Sequence, residues 1–300
     1  MEIDALMRCL GTGSCVVTQL TSGLIIGMLL FLIASGVTLI FGVLNVINFA
    51  HGSLYMLGAY IAWTLYQLSG SYFVSAIGAA IAVGLLGVLF ERLLMSKVYG
   101  SDVLMQLLVC YAVVLISDDM VKILWGPRVL SMGMPVEFRL PPIRFMGGVV
   151  PPFYIFMIVT AAAIGMLLWL VIARTRFGKV VRAAAVNGPM VSALGIRVNL
   201  YYAAVFGLGS MLAGAAGALA APVRSLTPGM GFSILIESFI VTVIGGMGSI
   251  VGAFVAALII GFTRSFGSIG FPLFVDGVMF LIMALVLIFK PSGLFGRVQR

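Results

Sequence analysis

Three side chains able to do chemistry, Asn45, Asn48 and His51, lie inside a run of 82 residues, Cys9 to Phe90, that holds no Asp, Glu, Lys or Arg. His51 is the only histidine of the chain. Its ordinary pKa lies near neutrality, so it is suited to titrating or to contacting a solute. The plainer reading is a neutral imidazole that satisfies backbone groups freed by a helix break at Gly52, and Asn45 and Asn48 share both readings. Glu237 is a second candidate: it has no basic residue within four positions, so its counter-ion must come from another helix or another chain. Unpaired, it would neutralise instead. Asp118 and Asp119 suggest a Mg²⁺-binding acid pair, but the final aspartate of D-D-x-x-D is missing. Lys122, at i+4 and i+3, makes a local ion pair sufficient. Cys9, Cys15 and Cys110 have no metal-site spacing; Cys9 and Cys15 could pair if the N-terminus is outside, but buried thiols are the expectation.

The elements that must carry these groups are membrane helices. The chain is 62% hydrophobic and 9% charged, and further charge-free runs cover 145–173, 198–223, 238–263 and 277–289. A charge near the bilayer centre is expensive, and a helix crosses the hydrocarbon in ~20 residues. A β-barrel would show short alternating segments instead. The fold class is therefore an all-α polytopic membrane protein of one domain, residues 1–300, with about eight or nine transmembrane helices. The expected spans are Leu20–Phe41, Asn45–Leu68, Tyr72–Leu94, Val103–Trp125, Phe153–Ala173, Leu200–Ala220, Leu235–Gly248, Ile250–Phe266 and Pro272–Phe289. The first has no basic n-region before it and is expected to insert uncleaved.

Two spans read as discontinuous or re-entrant. One opens on Asn45–Ser53, where Asn48, Gly52 and Ser53 are break and cap signals. The other is short and ends in Gly245-Gly246-Met247-Gly248. Interrupted helices in both halves of a chain point to a transport site, here Asn45, Asn48, His51, Glu237, Thr242, Gly245 and Gly246. Gly23-x-x-x-Gly27 and Gly248-x-x-x-Gly252 support close helix packing.

The net charge of +8 sets orientation. Eight basic residues and no acidic one lie between Glu137 and Glu237, five of them from Arg174 to Arg197. The positive-inside rule puts residues 174–199 in the cytoplasm. Alternation then places Arg92, Lys97, Lys290, Arg297 and Arg300 inside with the C-terminus, and the Pro-rich loop 126–152 outside. In that loop Val136, Phe138 and Leu140 alternate with charges, as in a short extended arm, and its arginines suit an acidic partner. Nothing beside the basic residues resembles a nucleic-acid module. In the inner segment an Ala-rich turn stops at Gly195, and Pro189 can begin a second short helix capped by Asn187 or Gly188. Such a segment either docks in a groove on another protein or is solvated beside anionic lipid.

Three ordered motifs, Asn45–Gly58 (NVINFAHGSLYMLG), Phe177–Ile196 (FGKVVRAAAVNGPMVSALGI) and Ile244–Ala253 (IGGMGSIVGA), resemble the branched-chain amino-acid permease family of ABC importers. The resemblance is closest to the subunit type that opens with Asn-Phe-Ala-His-Gly, and it runs from about Gly23 to Gly296. It implies a multi-pass permease subunit of a bacterial inner membrane, working by alternating access. Its implied partners are a second permease subunit (the same or a homologous chain), two cytoplasmic ATPases that bind ATP and Mg²⁺, and a periplasmic substrate-binding protein. Phe177, Gly178, Arg182, Ala183, Ala184, Asn187 and Gly195 would then form the coupling segment. The chain departs from the family in having Asn187-Gly188-Pro189-Met190 where acidic residues often follow the Ala-rich turn, so pairing would rest on Arg182 and packing. Glu237 stands where a neutral or basic residue is expected. The family also imports urea, short amides and aromatic acids, so the solute stays open. No G-x-x-x-x-G-K-[ST] loop occurs, so this chain is not expected to bind ATP, a cofactor or a metal, or to act as an enzyme. The alternative is an ion-coupled secondary transporter or channel; a membrane enzyme lacks a convergent site.

Overall fold

The structure, a computed structural model, describes residues 2–145 and 147–296, so Arg297 and Arg300 lie outside the described residues. It is helical throughout: α1 Glu2–Leu10, α2 Gly13–Leu44, α3 His51–Ser69, α4 Tyr72–Phe90, a π-helical turn Glu91–Met95, α5 Ser96–Val98, α6 Val103–Trp125, α7 Pro152–Arg174, α8 Arg176–Ala193, α9 Val198–Ala220, α10 Met230–Gly245, α11 Ile250–Gly270 and α12 Val275–Phe289. A helix stands at each of the nine expected spans. Six segments are long and apolar enough to cross a membrane on length and composition alone: α2, Tyr72–Val98, α7, α9, α11 and Pro272–Phe289. α10 is apolar but shorter. α3 and α6 have 19 and 23 residues, lengths that suit a crossing. The chain is a multi-pass membrane protein.

The core forms around α2, whose turns from Gly23 to Val43 are buried almost without interruption. It packs on α11, α9, α7 and α10. Long β-branched or aromatic side chains on every face would hold these helices apart. Small residues instead let backbones approach, as at Gly27, where a Cβ would come 2.9 Å from the Ala257 carbonyl oxygen. Outer faces of α4, α6, α7 and α12 carry exposed Leu, Ile, Val, Met and Phe, the side chains that suit lipid.

Several connections differ from the sequence expectation. The segment Val136–Phe138 is a 3₁₀ turn, not an extended arm, because Phe138 packs edge-on against Tyr72 and Phe153. Glu137 Oε1 accepts from the Tyr72 N–H at 2.8 Å, which caps α4. The extended piece lies further on, a hairpin of β1 Ile143–Phe145 and β2 Gly148–Val150 with Arg144 opposite Val149. Cys9 and Cys15 are joined in a disulfide that ties α1 to α2, so the expectation of buried thiols holds for Cys110 alone.

α3 and α10 meet backbone to backbone at Gly52 and Gly231, where a Cβ on Gly231 would lie 2.6 Å from the Gly52 carbonyl oxygen. Gly231→Ala is expected to lower stability by roughly 1–3 kcal/mol, the range of overpacked cores, because backbone cannot step aside. Thermal unfolding in detergent checks it; an unchanged midpoint would contradict this contact.

Candidate functional site

The first helix break is built from backbone that α2 cannot continue. Asn45 takes the left-handed conformation (φ 52°) as the C-cap of α2, its N–H donating to Phe41 O at 2.9 Å, and it is exposed. Asn48 Oδ1 then accepts from the Ala50 N–H at 3.0 Å, and the His51 N–H donates to Asn48 O at 3.2 Å. α3 therefore starts from a closed turn. Asn48, not His51, satisfies the freed backbone, which corrects the plainer reading of the histidine.

The His51 ring is fully buried between α2 and α9. A Cβ at Gly36 would fall 2.8 Å from its Nε2 and 2.6 Å from the Gly209 carbonyl oxygen. Gly36 precedes the end of α2 by two turns, about 12 Å of rise. The link after α2 thus turns back into the bundle, and α3 begins at membrane depth. Neither ring nitrogen has a hydrogen-bond partner, and the same holds for Asn48 Nδ2 and Thr38 Oγ1. Buried polar atoms left open in this way are costly, by ~1–3 kcal/mol each.

Thr242 reaches the same turn of α2 from α10: its hydroxyl donates to Ser238 O at 2.8 Å and lies 3.5 Å from Ala34 O. Phe49 of the break stacks on Phe239 of α10, with ring centroids 5.9 Å apart. His51 and Thr242 are thereby gathered on one stretch of α2, and Asn48 lies in the turn just before His51. Glu237 is not among them. It lies more than a turn away on α10 and forms an ion pair with Arg264 of α11. The counter-ion comes from another helix of this chain, one of the two sources left open by the sequence. Tyr55 stands near both Glu237 and Arg224. Gly245 and Gly246 close the other end of α10. Leu294 N–H donates to Ile244 O at 2.8 Å and Phe295 N–H to Gly245 O at 3.0 Å, so the C-terminal tail caps this helix.

The second half of the site is α8. Thr175 Oγ1 accepts from the Gly178 N–H at 3.2 Å and starts the helix immediately after α7. Gly178 lies against Ile172 backbone with no room for a Cβ, and the Arg182 guanidinium reaches back to the Ile172 carbonyl. Arg182 therefore ties the corner to α7. Phe177 stacks on Tyr201 of α9 with centroids 5.7 Å apart. Asn187 breaks the helix (φ −153°, ψ 87°) and its Oδ1 accepts from the Met190 N–H at 3.0 Å, capping the short helix that Pro189 begins. Gly195 (φ +82°) follows the end. Ala184 is buried against the bundle while Ala183 faces out. Val186 before the Asn187 break and Met190 and Leu194 after it are 88%, 61% and 73% exposed, so apolar side chains stand outward on both arms of the segment. Sequence reasoning passed over these three, because a basic loop with two short helices does not reveal which side is covered.

Lys122 pairs with Asp119 at 2.9 Å, and among the described residues no group of three His, Cys, Asp or Glu is placed to hold a metal.

Compared with known proteins, residues 19–288 match the model of the family described as the branched-chain amino acid transport system permease component. The chain is 32% identical to the high-affinity branched-chain amino acid transport system permease protein BraD of Pseudomonas aeruginosa, over 93% of this chain and 95% of that one. It is 30% identical to the LivH permease protein of Salmonella typhimurium over the same shares. Among solved structures, PsaBC from Streptococcus pneumoniae in complex with Fab is similar with a TM-score of 0.48 and 14% identity over 89% of each chain. The chain belongs to the branched-chain amino acid ABC transporter permease family.

Glu237→Gln is expected to destabilise the fold by roughly 1–3 kcal/mol, less than the ~3–5 kcal/mol of fully buried pairs because the Arg264 side chain keeps 30% exposure. Exchanging both residues, Glu237→Arg with Arg264→Glu, should recover part of the loss in the same thermal melt. No recovery would mean that the two charges are not partners.

Proposed function

We propose that this chain is the transmembrane permease subunit of an ATP-driven importer of branched-chain or related amino acids. The observation that carries the reading is the outward apolar face of α8. In a segment fixed at a rigid corner, Val186, Met190 and Leu194 stand in the open, where water would surround them. Exposed large apolar side chains on a fixed segment are anchors for a groove on another protein. Cytoplasmic ATPases fit that role, since ATP and Mg²⁺ must be bound elsewhere than in a chain without a phosphate loop.

Orientation supports this assignment. A disulfide at Cys9–Cys15 suits the oxidising, outer side. Five crossings, α2, α3, α4–α5, α6 and α7, then carry the chain to α8 on the cytoplasmic side, and four more bring the C-terminus there. Charge counting favours the same sidedness. The outer loops, with exposed Arg128, Arg139 and Arg144, offer a basic surface to a periplasmic binding protein. A second permease subunit, identical or homologous, would complete the path, and Asn48, His51 and Thr242 are the polar groups this chain brings to it. Alternating access follows if closure of the ATPases moves α8 and, through the α7 corner and α9, the helices around that path.

The test is the joint variant Val186→Asp, Met190→Asp. Both side chains are exposed, so the permease itself should fold and melt as before. ATPase binding should weaken about thirtyfold or more, the effect of losing a hot spot worth ~2 kcal/mol. Pull-down of the ATPase subunits with the tagged permease reads it directly. Undiminished recovery would remove α8 as the docking helix.

A further inference from the structure

The inner end of α4 holds a carboxylate for which neither the path nor the docking face has a use. Glu91 opens the π-helical turn and is 1% exposed. Its Oε1 accepts from the Tyr99 hydroxyl at 3.0 Å. Its Oε2 is buried with no hydrogen-bond partner, and the nearest cation, Arg92 Nε, is 3.8 Å away. Burial, and then the Glu91 carboxylate, hold the Tyr99 phenol above its ordinary range, so it stays a donor at physiological pH. A half-paired carboxylate in a low-dielectric site favours any rearrangement that brings a cation to its open oxygen.

The turn itself is suited to such a rearrangement. A π turn carries one residue more than an α turn and occurs in single-turn bulges at functional sites. Returning to α register would rotate the following residues by about 100°. Both ends of this turn touch the parts that must communicate. On the cytoplasmic side the Tyr99 ring meets Tyr202 edge-on, with centroids 6.1 Å apart. The Tyr202 hydroxyl fills the space beside Gly188, 2.6 Å from where a Cβ would stand. Gly188 follows Asn187, the point at which α8 breaks. On the membrane side Met95 Sδ lies 3.8 Å from Cys110 Sγ, which lies 3.9 Å from Asn48 Oδ1. Arg92, Gly188, Pro189 and Tyr202 line one open cleft, so the turn has space to move beside α8.

The geometry points to the π turn Glu91–Met95 as the joint through which α8 acts on the helix break at Asn48, with Glu91 and Tyr99 as the positioning residues that lock it. This rests on α8 being the ATPase-docking helix. Displacement of Gly188 pushes Tyr202 against Tyr99. The Tyr99–Glu91 hydrogen bond then opens, Arg92 closes on the freed carboxylate, and Met95 shifts against Cys110 and Asn48.

The experiment uses the assembled permease–ATPase complex in liposomes and reads leucine moved per ATP hydrolysed. Tyr99→Phe removes the donor and keeps the ring, Glu91→Leu removes the acceptor, and Glu91→Gln keeps an acceptor oxygen. Tyr99→Phe and Glu91→Leu should lower leucine moved per ATP by roughly two- to thirtyfold, the span seen when one residue of a coupling route is changed, with ATPase subunits still bound. Glu91→Gln keeps an acceptor for Tyr99 but no charge for Arg92, so its ratio should fall between the wild-type ratio and that of Glu91→Leu. A wild-type ratio for Tyr99→Phe overturns the proposal, as does an equal fall for Glu91→Gln and Glu91→Leu. So does a loss that merely tracks a lowered melting temperature in all three. Failure of the unaltered permease to bind ATPases would instead overturn the docking reading.

Discussion

Hydrocarbon offers no hydrogen-bond partner to a broken helix, and this chain breaks its helices twice. Every freed N–H and C=O must therefore be met from within the bundle. At 45–50 the Asn48 side chain does this, and α3 restarts from the turn it closes. At 246–249 the Ser249 hydroxyl accepts from the Gly252 N–H at 3.0 Å, and the C-terminal tail covers the last carbonyls of α10. Both breaks lean on α2, the first at Gly36 and the second at Gly42, where a Cβ would come 2.9 Å from Gly248 Cα. Both contacts fall on the buried stretch of α2, Gly23 to Val43.

Buried charge obeys the same constraint with less tolerance. Glu237 is compensated within the chain by Arg264, so it fixes α10 against α11 rather than waiting for a partner subunit. Glu91 is held by the Tyr99 hydroxyl and a more distant arginine, and it opens a π-helical turn. In the proposed route the first carboxylate belongs to a fixed frame and the second to a movable joint.

Much of this was legible in the sequence, and the reason is solvent. Lipid excludes charge, so charge-free runs marked the spans, and Gly, Asn and Pro marked the interruptions inside them. The Asn187 cap and the Gly195 stop could be read because capping depends on near neighbours. What stayed hidden depends on residues far apart in the chain. Arg264 is a full helix away from Glu237, and nothing local to either announces the pair. The outward face of Val186, Met190 and Leu194 needed the corner that Gly178 and Arg182 set. Tyr99 and Tyr202 lie on separate segments of the chain, and only the fold packs their rings together beside buried Glu91. The external loop misled for a related reason: alternation suggested an arm, but the aromatic cluster of Tyr72, Phe138 and Phe153 decided the backbone.

The central claim is that solute moves through this chain only when partner ATPases act on α8. Radiolabelled leucine uptake into liposomes holding the permease, its ATPases and the binding protein tests it most directly, with and without ATP, at fixed proton and sodium gradients. The account predicts uptake with ATP that no gradient replaces. Uptake by the permease alone, driven by a gradient and indifferent to ATP, would contradict it and make the chain a secondary transporter.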